Sequence, residues 1–166
     1  YYEVKMTTAE RIQDSYCRFY VSQHYEAWDE RVFEKYDPEH FIQMWRDLDP
    51  DVVVATARTH NGYWFCDIGL GGSHPKLRGT DQLANLVEYA KSKDKPIIAY
   101  ISTIFDKASY DIHPEWRQVN LDGSAFYGDE RSWGKVVCPN SPYREFLVDM
   151  IGRLVDAYDI DGLYFT

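Results

Sequence analysis

Short runs of consecutive apolar residues alternate along this chain with longer stretches in which apolar positions recur every three or four residues, the pattern of strands followed by helices. The run CRFYVSQHY predicts a first strand. It leads into YDPEHFIQMWRDL, where Asp37 is placed to cap a helix, Pro38 fits its first turn, and Phe41, Ile42, Trp45 and Leu48 form one apolar stripe. DVVVATAR is the clearest strand, because β-branched residues fill it without polar alternation, as expected when both faces are covered. The loop after it, roughly THNGYWFCDIGLGGSHPKLRG, far exceeds the usual connection of about two to six residues, and long ordered loops of this kind carry function. Thr80 is then placed to cap DQLANLVEYAKSK, with Leu83, Leu86, Val87 and Ala90 on one face. PIIAYIST predicts the third strand, with Pro96 at its first residue, where a missing N–H is harmless. A second excursion, DIHPEWRQVNLDGSAFYGDERSWGKVV, has a turn signal at Asp122-Gly123 and predicts a small hairpin over the strand ends. The last helix opens at NSPYREF with Asn140 or Ser141 as cap and Pro142 in its first turn, and its stripe is Phe146, Leu147, Met150, Ile151, Leu154 and Val155. It ends near Tyr158, and IDGLYFT reads as the fourth strand.

Four strand-helix units with long loops always on the strand-to-helix side predict α/β architecture of the TIM (β/α)8 barrel type, whose active face those loops build. A whole barrel takes about 250 residues and eight strands. The expectation is therefore the N-terminal half of a barrel over residues 17–166, preceded by a lead-in segment, 1–16. No GxGxxG follows the first strand, which argues against a doubly wound dinucleotide-binding sheet. Four strands without closure leave two unpaired edges, and this predicts a homo-oligomer or poor solubility.

Composition narrows the partners. With 45% hydrophobic and 16% aromatic residues the chain can build one globular core, and 18 Lys and Arg against 27 Asp and Glu leave it at -9, without a basic stripe for a phosphate backbone. Nucleic acid is not an expected partner. The longest apolar runs, such as VVVATA and PIIAYI, fall far short of the roughly 18 residues a membrane span requires, so no membrane segment is expected. Cys17, Cys66 and Cys138 are odd in number and far apart, which predicts reduced, structural thiols. The chain opens on Tyr and lacks a signal-peptide core; the expectation is an N-terminus lying further upstream and, with compartment left open, a leaning toward the cytoplasm.

The segment ARTHNGYWF, a strand running into a His-containing, Gly-aromatic turn, resembles the corresponding segment of α-L-fucosidase-like glycoside hydrolases. With GSHP, PIIAYISTIFD, HPEWRQVNLDGS, VCPNSPYREFL and YDIDGLYF in this order, the chain from roughly residue 17 to 166 is similar to the hypothetical glycosyl hydrolase 6 domain of family 151 fucosidases, which are related to family 29. The resemblance implies a carbohydrate substrate and a glycone site at the C-terminal ends of the strands. It implies sugar-binding roles for His24 in VSQHY and His60 in RTHNGY. Where relatives carry a second His or an Asp, this chain has Thr59 or Asn61, and Asn61 retains both donor and acceptor capacity. It also implies a nucleophilic Asp at the tip of the fourth strand, a position held here by Thr166.

Hydrolysis by that route needs two carboxyl groups about 5 to 5.5 Å apart. Neither stands where it is expected, and a Thr hydroxyl would need a neighbouring base to act as a nucleophile. Two function classes therefore stay open: a glycoside hydrolase completed by further chain, or a non-catalytic carbohydrate-binding or pseudoenzyme module. The candidate binding residues are His24, Arg58, His60, Asn61 and Trp64, with Trp28 and Tyr63 as further rings able to stack on a sugar. Arg58, if buried, needs a carboxylate or a substrate; if exposed, it makes an ordinary ion pair. His60 and His24 each have a loop-ordering alternative, and His74 and His113, each preceding a Pro, read as structural or rim residues. Trp45 reads as core. GLGGS lacks both P-loop and Rossmann spacing and reads as a flexible loop, and Asp159 and Asp161 read as turn and cap residues at the end away from the site. The His residues show no HxH or HExxH spacing, so neither a metal nor another cofactor is expected.

Overall fold

A computed structural model describes residues 5–126 and 135–166. The chain begins with a short helix, α1 (Thr8–Gln13), opened by a capping box: the Thr7 hydroxyl accepts from Glu10 N–H, and the Glu10 carboxylate accepts from Thr7 N–H at 2.8 Å. Then follow β1 (Arg18–Tyr20), α2 (Pro38–Leu48), β2 (Val52–Arg58), α3 (Gln82–Ser92), β3 (Ile97–Ile101), α4 (Lys107–Ile112), α5 (Tyr143–Ala157) and β4 (Gly162–Phe165). The strands form one parallel sheet in the order β1-β2-β3-β4. Sequential order with helical crossovers of the usual right hand puts the helices on one face of such a sheet.

That face holds the core. Val53, Ala55, Ala57, Ile97, Ala99 and Ile101 pack with Ile42 and Trp45 from α2, Leu83, Leu86 and Ala90 from α3, and Met150 and Leu154 from α5. All seven residues of β2 are buried, which is why its sequence carries no polar alternation. On the opposite face Tyr20, Tyr100 and Tyr164 stand in a row, with ring centroids 4.9 Å and 5.5 Å apart, and Tyr164 is 48% exposed at the edge. Among the described residues no helix is long and apolar enough to cross a membrane.

Local expectations fail where tertiary contacts override them. The strand predicted over CRFYVSQHY stops at Tyr20, because Tyr25 N–H bonds back to Gln23 O at 2.8 Å and the chain turns out of the sheet. The α3 cap is Asp81 rather than Thr80: its carboxylate accepts from Ala84 N–H at 2.8 Å. Pro142 occupies the α5 cap position itself, and Ser141 Oγ accepts from Tyr143 N–H at 3.2 Å. Leu48 and Val155, placed in the buried stripes, are 44% and 46% exposed. Each lies off its stripe's centre, Val155 by about 100° from Leu154, the turn per residue of an α-helix. Cys17, expected as a structural thiol, is exposed, whereas Cys66 is buried. The six-residue α4 is too short to show a period in sequence. The turn predicted at Asp122-Gly123 is present, with Asn120 N–H donating to Ser124 O at 2.8 Å and Gly123 at φ 83°; residues 127–134 of that excursion lie outside the described residues.

Candidate functional site

Parallel strands bring all their C-terminal ends to one edge of the sheet, and polar side chains from four neighbouring strands meet there. His24 stands four residues past the end of β1, His60 two past β2, Tyr100 within β3 and Thr166 directly after β4. The His24 and His60 rings stack with centroids 3.8 Å apart at 14°. His60 backbone N–H donates to His24 Nδ1 at 3.1 Å, and His60 Nδ1 is 2.6 Å from Ser102 Oγ, which itself donates to Phe105 O at 2.7 Å. Tyr100 Oη lies 3.2 Å from His24 Nε2 and 2.6 Å from Thr166 Oγ1. One connected set of hydrogen bonds and a ring stack thus ties four strands at their tips.

The cluster is uncharged at neutral pH. Burial lowers the His24 pKa; burial and then the neighbouring His24 push His60 down to about 4; burial lifts the Tyr100 phenol to about 12 despite its hydrogen bond with Thr166. Among the described residues no carboxylate hydrogen-bonds to His24, His60, Tyr100 or Thr166.

The turn carrying His60 is built from its glycine. Gly62, at φ 83°, donates to Thr59 O at 3.0 Å, and the turn is anchored to α4 by Lys107 N–H donating to His60 O at 3.0 Å. Asn61 is buried; its Nδ2 donates to Tyr25 O at 2.9 Å, drawing the segment after His24 onto the turn. Beneath lies a buried ionic group. A bulge in the β2–β3 register between Thr56 and Arg58 breaks the alternation, and Arg58, 2% exposed, ends on the helix side, 2.8 Å from Asp106 Oδ2. Asp106, fully enclosed, also caps α4 through Ser109 N–H at 3.0 Å and accepts from Ser109 Oγ at 2.6 Å and from Tyr143 Oη at 3.1 Å. Burial alone would raise the Asp106 pKa, yet the Arg58 guanidinium and the Ser109 hydrogen bonds outweigh it and hold the carboxyl below the usual carboxylate range.

Of the candidate residues, the structure brings His24, His60 and Thr166 together around Tyr100. Arg58 has the carboxylate partner that a buried arginine requires, and Trp64, 1% exposed, lies under the guanidinium with its ring centroid 5.4 Å from Cζ. GLGGS closes over that ring: Trp64 N–H donates to Gly72 O at 3.1 Å, and a Cβ at Gly71 would lie 3.1 Å from Trp64 Nε1. Trp64 therefore leaves no ring face open to a ligand. Trp28 is 74% exposed, and Tyr63 packs edge-on against His74. His74 is 1% exposed and caps a 3-10 turn at Pro75–Leu77. His113 stacks on Trp116 at 3.6 Å. Asp161 accepts from Ile97 N–H at 2.9 Å at the far end of β3. Tyr100, Ser102, Asp106 and Tyr143 were not singled out in sequence. The inward parity of Tyr100 with Thr56, its register partner, was the one signal that marks it. Among the described residues no group of three or more His, Cys, Asp or Glu is placed to hold a metal ion.

The family described as Hypothetical glycosyl hydrolase 6 matches residues 37–166. No curated protein matches the chain. Among solved structures, an α-L-fucosidase isoenzyme 2 from Paenibacillus thiaminolyticus aligns over 91% of this chain with TM-score 0.79 at 21% identity, and the chain covers 23% of that protein. The Thermotoga maritima α-fucosidase bound to a mechanism-based inhibitor aligns over 80% at TM-score 0.55 and 18% identity, with 29% of that protein covered. A hypothetical protein from Ruminiclostridium thermocellum aligns over 84% at TM-score 0.55 and 14% identity, with 72% covered. At these identities the likeness is one of α/β fold with a parallel sheet, and the chain spans under a third of the two fucosidases.

Proposed function

Because this chain belongs to the hypothetical glycosyl hydrolase 6 family, we propose that residues 17–166 form the N-terminal half of a fucosidase-like (β/α)8 barrel, preceded by the lead-in 1–16, and supply the glycone-binding part of a glycoside hydrolase site. One observation carries this: four neighbouring strands each send a polar group, His24, His60, Tyr100 and Thr166, to one cluster at their C-terminal ends, where such barrels place their active sites. Neutral imidazoles and hydroxyls match sugar hydroxyls, which donate and accept without charge. His24 and His60 contact the sugar in this reading. Asn61, Arg58 and Trp64 act by holding the His60 turn.

The Tyr100–Thr166 contact of 2.6 Å favours a second reading as well, because it occupies the strand tip with a hydroxyl pair where retaining hydrolysis needs a carboxylate. That reading is a carbohydrate-binding module without a nucleophile. Titration calorimetry with fucose and galactose tests both: binding is expected, and His60→Ala is expected to weaken it about tenfold, the equivalent of about 1.4 kcal/mol. A titration unchanged by His60→Ala would sink the assignment. Release from an aryl α-L-fucoside by a longer form of the protein separates hydrolase from binding module.

The histidines also set a pH dependence. The folded His60 has its pKa depressed from 6.5 to about 4, so between these values the unfolded chain binds a proton that the folded chain excludes. Stability is therefore fully present above pH 6.5 and falls as the pH drops toward 4. Melting temperatures measured over this range should decline less steeply in His60→Gln than in the wild type; parallel profiles would show that His60 is not the group responsible.

A further inference from the structure

The positions of the protons in the histidine cluster follow by elimination. A carbonyl oxygen has no hydrogen to give, so the bond between Ser102 Oγ and Phe105 O uses the only hydroxyl hydrogen of Ser102. Ser102, which is 0% exposed, must then accept from His60, and the proton of His60 lies on Nδ1. In the neutral ring that leaves a lone pair on His60 Nε2, a nitrogen that bonds to no described residue. On the other side a backbone N–H can only donate, so His24 Nδ1 accepts from His60 and the proton of His24 sits on Nε2. It is given to Tyr100 Oη, which lies 2.6 Å from Thr166 Oγ1 in a bond that either hydroxyl can donate. Both chains of hydrogen bonds begin with His60 as the donor.

We propose that Ser102 is a positioning residue that locks His60 in the Nδ1–H tautomer, so that the site offers His60 Nε2 as an acceptor and selects an uncharged hydroxyl-bearing sugar over an anionic one. The proposal rests on the strand tips being a sugar site. A sugar hydroxyl can hand its hydrogen to Nε2, whereas a carboxylate or phosphate oxygen meets a lone pair. Protonating His60 to welcome an anion is opposed by the His24 ring stacked at 3.8 Å and by the Tyr100 and Phe105 rings alongside, centroids 6.5 Å and 4.9 Å away; among the described residues no carboxylate hydrogen-bonds to the imidazole.

The test begins without ligand. Long-range proton–nitrogen correlation spectra of the 15N-histidine-labelled chain at pH 7, with signals assigned by loss in single His→Gln variants, should show His60 as Nδ1–H and His24 as Nε2–H. Ser102→Ala should convert His60 wholly or partly to Nε2–H, and Ser102→Thr, which keeps the hydroxyl, should restore the wild-type pattern. An Nε2–H tautomer for wild-type His60, or an unaltered spectrum in Ser102→Ala, overturns the proposal. Calorimetry with fucose and with galacturonate forms the second arm: at least a tenfold preference for the neutral sugar, reduced in Ser102→Ala, is expected, and equal or tighter uronate binding overturns the selectivity. The tautomer as expected with no binding of either sugar upholds the proton order and rejects the sugar site.

Discussion

Replacing Asp106 by Ala is expected to lower folding stability by about 3–5 kcal/mol, the range for removing one partner of a buried ion pair. Arg58 would remain 2% exposed with its charge unmatched, α4 would lose the carboxylate that accepts from Ser109 N–H, and Tyr143 Oη would lose its acceptor. For a domain stabilised by about 5–15 kcal/mol this is a large share. Guanidinium unfolding followed by circular dichroism measures it. A double variant, Arg58→Met with Asp106→Leu, should be less damaging than Asp106→Ala, because no unpaired charge stays buried. A loss below about 1 kcal/mol in Asp106→Ala would contradict the reading of this pair.

Gly62→Ala is the second change with a large expected effect, and it reaches stability and site together. The residue sits at φ 83°, and an added Cβ would lie 2.5 Å from Ala108 Cβ and 2.7 Å from Asp106 Oδ1. Ala108 is a short side chain on a helix and cannot swing aside. The turn must move off α4, stretching the bond from Lys107 N–H to His60 O and shifting the imidazole from its stack with His24. Backbone strain of this kind costs about 1–3 kcal/mol before the clash is counted. A melting point lowered by several degrees and a fucose affinity reduced at least as far as in His60→Ala are expected. Unchanged melting with unchanged affinity would mean that the turn tolerates a side chain.

Much of the fold was legible because it is local. VVVATA announces a buried strand through its β-branched content, Asp37-Pro38 announces a helix start through one carboxylate and one fixed φ, and Asp122-Gly123 announces a turn. His60-Asn61-Gly62 was legible for a similar reason, since a glycine after polar residues at a strand end marks a tight turn. Arg58 illustrates the limit. Strand parity assigns it to the face that bears Thr56, and only the bulge in the β2–β3 register carries it to the other side, onto Asp106. Trp64 was equally opaque, since whether a loop tryptophan offers its ring or buries it depends on what the glycines of GLGGS close over.

The order of residues by itself determined the succession of strands and helices, the turn that bears His60 and the presence of polar groups at strand ends, since spacing and backbone propensity act within a few residues. Tertiary structure alone decided which of those groups meet. His24 and His60 are 36 residues apart, and Tyr100 and Thr166 are 66 apart. Parallel pairing sets their strand tips side by side, and the bonds among them then fix where each histidine proton lies, a property that exists only once donors and acceptors from separate strands are held within reach of one another.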